Sequence, residues 1–166
     1  SLMMGYDWLY HDLSADERQS IAQDIIENVR VLNDPKSPKV KRENYFGFPG
    51  GGFYGVRNLK WYAGLTFHRE GVNDKLCIQW MKEGLADFKQ VADYRKKSGG
   101  DDGGMSAVVL GYVFGAYPRC EWNLIHTWRS ALGENIAADY SYVANITNWI
   151  AWRTIIGKDN QMYGYG

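Results

Sequence analysis

No stretch of this chain alternates apolar and polar residues over the length of a strand, whereas six stretches read as helices. The clearest opens at Ser14-Ala15-Asp16-Glu17, a capping box in which the serine hydroxyl takes the Glu17 amide and the glutamate reaches back. Ile21, Ile25, Ile26 and Val29 follow on one face, with Arg18, Asp24 and Glu27 largely on the other, and the helix is expected to end near Leu32. A short aromatic helix, Met3 to Tyr10, precedes it. Tyr54 to Phe67 reads as a third helix with Leu59, Tyr62, Ala63 and Thr66 inward. Asn73 caps a fourth that runs to about Lys97, with Cys77, Met81, Leu85, Phe88 and Ala92 as its stripe. Trp122, Ile125, Trp128 or Arg129, and Leu132 mark a fifth that starts near Pro118 and stops at Gly133. The last is expected from Tyr142 to Ile156, with Ile146, Trp149, Ile150 and Arg153 on one side. Six or seven helices joined mostly by short connections make antiparallel neighbours, hence an all-α fold in a single helical domain, residues 1–166.

Two stretches break this pattern. Asn33 to Gly52 holds three prolines and ends in Gly50-Gly51-Gly52, with Tyr45, Phe46, Phe48 and Phe53 suited to the lip of a cleft. Ser98 to Pro118 sets two glycine pairs around Asp101-Asp102, then a run of small apolar residues that carries Tyr112. A packed helical scaffold has no need of four glycines there, but a backbone that bends sharply beside a ligand does. This stretch reads as the wall of an active site in a sugar-processing domain. Asp101-Asp102 also suits an N-cap, and Tyr112 a core aromatic.

Composition narrows the chemistry. The 19 basic and 19 acidic residues cancel, which disfavours a nucleic-acid partner. Seven Trp, twelve Tyr and six Phe mostly suit the wide spaces between packed helices, and any Trp or Tyr outside the periodic stripes are candidates for sugar-stacking platforms. Cys77 and Cys120 lack metal-ligand spacing and read as buried free thiols. His11, His68 and His126 stand far apart, without acidic or histidine companions at ligand spacing. Zinc-protease, P-loop and serine-hydrolase motifs do not occur, nor does an apolar run long enough to span a membrane. Ser1-Leu2 before Met3, and the closing Tyr163-Gly164-Tyr165-Gly166, read as the cut ends of a piece of a longer chain. Carboxylates and tyrosines remain as the groups able to do chemistry.

Gly5-Tyr6-Asp7-Trp8-Leu9-Tyr10, followed by Leu13-Ser14 and Asp16-Glu17-Arg18, resembles the opening signature of heparinase II/III-like polysaccharide lyases. Asp102-Gly103-Gly104 with Tyr112 is similar to a second pattern of that family, an Asp-Gly turn with a tyrosine some ten residues on. Asn148-Trp149 through Gly166 resembles the exit from the family's helical toroid towards a β-sandwich. The resemblance implies an incomplete α/α toroid of antiparallel helical hairpins and β-elimination on a uronic-acid-containing polysaccharide. In that reaction an amide or imidazole neutralises the uronate carboxylate, a base removes the C5 proton, and a tyrosine protonates the leaving oxygen. Tyr112 matches the tyrosine and Asn58 the neutralising group, with Arg57 beside it. Tyr54, Trp61 and Asp102 complete the substrate-binding set that the resemblance implies. It implies no metal or cofactor, an acidic polysaccharide and the chain's own β-sandwich as partners, inactivity of this segment alone, and a periplasmic or secreted location.

Two alternatives stay open. A glycoside hydrolase on a similar toroid would use Asp101 or Asp102, with Glu121 or Asp139 as the second carboxylate. A non-catalytic glycan-binding or scaffolding toroid rests on Gly50-Gly51-Gly52-Phe53, which stands where lyases of this kind carry an Asn-His motif, and on Ala107, which replaces an acidic residue.

Overall fold

The computed structural model describes residues 2–34, 36–37, 59–99, 117–153, 155–156 and 162–163. These hold seven α-helices: α1 (Leu2–Leu9), α2 (Ala15–Asn33), α3 (Leu59–Phe67), α4 (Asp74–Gly99), α5 (Tyr117–Leu132), α6 (Ser141–Ala144) and α7 (Ile146–Arg153). A 3-10 helix, Ile136–Asp139, precedes α6, and a two-residue antiparallel pair closes the described chain, β1 (Ile155–Ile156) with β2 (Met162–Tyr163). The chain divides into two compact units, Ser1–Asp87 and Phe88–Gly166. The described residues are thus predominantly helical, as the periodicity predicts. None of their helices is long and apolar enough to cross a membrane.

In the first unit α2 packs on α1 and α3, and α1 also meets α3. Ile25, Ile26 and Val29 of the predicted stripe are buried, joined by Ala22, while Asp24 and Glu27 are exposed. The capping box forms in full: the Glu17 amide donates to Ser14 Oγ at 3.3 Å, and the Ser14 amide donates to Glu17 Oε2 at 2.9 Å. Such a cap stabilises its helix by about 1 kcal/mol. Arg18 departs from the expected outward face. Its guanidinium lies 4.6 Å from the centre of the Tyr10 ring and donates to the Tyr10 and Leu13 carbonyls at 3.1 and 3.2 Å. Both carbonyls belong to the turn between α1 and α2, so the arginine fastens that turn.

Helices α3 and α4 form an antiparallel pair in contact at the backbone. A Cβ at Gly64 would stand 2.7 Å from the Cys77 carbonyl oxygen, and one at Gly84 would stand 2.9 Å from both N and Cβ of Trp61. Each helix therefore presents a glycine to the other, and only hydrogen fits at either place. The turn between them holds Arg69 at φ 71°, a conformation that costs a residue with a Cβ about 1 kcal/mol. Its amide donates to Asp74 Oδ1 at 2.7 Å, and Asn73 Oδ1 accepts the Leu76 amide at 3.1 Å, the cap expected at that position.

In the second unit the later part of α4 contributes Phe88 and Ala92 to a core with Leu124, Ile125, Tyr140, Tyr142, Val143 and Ile146. Phe88 and Tyr140 meet edge to face with centroids 5.5 Å apart, and Lys96 Nζ donates to the Asp139 carbonyl at 3.2 Å. Gly133 ends α5 as expected, at φ 75°. The final helix does not run unbroken from Tyr142 to Ile156. It divides at Asn145 and stops at Arg153, where the β-branched Thr154-Ile155-Ile156 run favours extended backbone.

Candidate functional site

The residues singled out from the sequence divide into one group outside the described residues and one within them. Tyr54, Arg57, Asn58, Asp101, Asp102 and Tyr112 lie outside them. Trp61 and Asp139 lie within, and Asp139 is exposed at the end of the 3-10 helix. Trp61 is a correction. At 1% exposure on α3, with its backbone against Gly84, its ring offers no face on which a sugar could stack. The inward face of α3 is Trp61, Ala63, Gly64 and Phe67, whereas Leu59, Tyr62 and Thr66 are only half-buried. The start of α3 lies close on Gly84 of α4, with the Trp61 nitrogen, Cα and Cβ all near the place a Cβ would take there.

Asn58 immediately precedes the first residue of α3, and two polar networks are built on this helix and the turn that follows it. At its start, Lys60 Nζ donates to Glu83 Oε2 at 2.6 Å, and Gln79 Nε2 donates to Glu83 Oε1 at 2.7 Å. The Lys60 bond chiefly, and the Gln79 bond after it, hold the Glu83 carboxyl below its ordinary range against the opposing effect of burial. Just past its end, Glu70 Oε2 accepts from the Tyr6 hydroxyl at 2.9 Å. Burial, then the hydrogen bond and charge of Glu70, push the Tyr6 phenol well above its ordinary range, so it serves as a neutral donor. The Tyr6 ring packs edge-on against Phe67 at 5.1 Å and Tyr10 at 6.0 Å. Tyr6 and Tyr10 of the opening motif therefore hold α1 to the rest of the unit.

The Lys60–Glu83 pair spans 23 positions and two helices, so it left no mark in the spacing of residues. The Gln79–Glu83 step, four apart on one helix, was legible in principle. A carboxylate held below its unfolded pKa adds stability above the unfolded value and loses it as pH falls through the folded value. The first unit is therefore expected to weaken on acidification below the ordinary carboxylate range. Glu83→Gln should remove part of that dependence, worth at most about 1 kcal/mol because both side chains are partly solvated. Thermal melts of wild type and variant across acid pH measure it, and identical pH profiles would refute the role.

In the second unit the Tyr140 phenol is raised by burial first and then by the charges of Asp93 and Asp139. Among the described residues no group of three or more His, Cys, Asp or Glu side chains is placed to hold a metal ion. No protein-family model matches the chain, and no curated protein or solved structure matches it.

Proposed function

We propose that this chain is the helical part of a heparinase II/III-like polysaccharide lyase, an incomplete α/α toroid that works with a β-sandwich of the same protein outside the cytoplasm. The observation that carries the reading is the run from Gly5 to Arg18. Its resemblance to the lyase signature extends over residues that act together in the fold: Tyr6 and Tyr10 as inward rings, Ser14 and Glu17 as the cap, and Arg18 as the fastener of the turn. The helical make-up of the described residues is in keeping with it.

In this reading Asn58, aided by Arg57, donates hydrogen bonds to the uronate carboxylate and stabilises the negative charge that develops when the neighbouring proton leaves. Tyr112 donates its proton to the leaving oxygen, a base of the full-length protein takes the C5 proton, and the C–O bond breaks as the new carbon–carbon double bond forms. Tyr54 and Asp102 line the sugar.

The full-length protein incubated with a panel of uronate polymers should release unsaturated products, read by the ultraviolet absorbance of the conjugated double bond. Tyr112→Phe should lower that rate about 10²–10⁴-fold with binding retained, while residues 1–166 alone should show no turnover. Hydrolytic products in place of unsaturated ones, or full activity of Tyr112→Phe, would overturn the reading.

A further inference from the structure

No further inference is drawn: the strongest candidate, the exposed apolar face of α1 formed by Leu2, Met4, Trp8 and Leu9, carries nothing because no feature of the structure shows what covers it.

Discussion

Trp61→Ala is expected to cost the first unit about 3–5 kcal/mol, the range for deleting a fully buried large aromatic. The ring is buried to 1% exposure on the face that α3 turns to its neighbours, and its backbone lies against Gly84, which has no side chain to move into the space left behind. The cavity would therefore persist, which places the loss towards the upper end. Urea unfolding followed by circular dichroism measures it. A sugar platform would behave in the opposite way, since an exposed tryptophan can be removed for about 0.5 kcal/mol or less and its loss appears in ligand affinity. A variant of unchanged stability would return Trp61 to the surface and undo the packing of α3 described above.

The second large effect concerns Gly84, which lies against the Trp61 backbone. In the middle of a helix, Gly→Ala ordinarily stabilises by about 0.5–1 kcal/mol because alanine loses less backbone freedom on folding. At Gly84 the sign should reverse. The new methyl would stand 2.9 Å from the Trp61 nitrogen and Cβ, atoms fixed to the backbone of α3 that cannot rotate aside. Gly84→Ala should therefore destabilise by about 1–3 kcal/mol, and Gly84→Leu by more. Gly64→Ala meets the Cys77 carbonyl oxygen at 2.7 Å and should behave alike. Because one interface carries both, the double variant should lose less than the sum of the two. Stabilisation by Gly84→Ala in the same denaturation assay would mean that α3 and α4 do not touch at these glycines.

These two residues also show where residue pattern stops being informative. Helix α2 was legible almost to the residue, because its apolar and charged faces are distinct and a capping box marks its start. Helix α3 offered no such contrast: Leu59, Trp61, Tyr62, Ala63, Leu65 and Phe67 place apolar surface on every side. Which of them turns inward is set by the helices packed around α3, and that is a tertiary fact. The same limit explains Arg18, whose long side chain starts on α2 and returns to the carbonyls of the turn before it. At the chain's far end a helical stripe through Ile156 gave way to paired strands because Thr154, Ile155 and Ile156 are all β-branched. Of the candidate site, sequence resemblance named Tyr54, Arg57, Asn58, Asp102 and Tyr112, all outside the described residues, together with Trp61, which the fold uses for packing. The Lys60–Glu83–Gln79 and Tyr6–Glu70 links are long-range pairings without a motif, and geometry alone reveals them.

The glycine contact between α3 and α4 also encloses Cys77, a fully buried free thiol whose carbonyl abuts Gly64. Burial first, and the Asp74 carboxylate second, push that thiol above its ordinary range. Closed in and protonated, it is silent towards alkylating reagents while the two helices stay together. Its modification rate is thus a stopwatch for their separation: it reads how often this one seam opens.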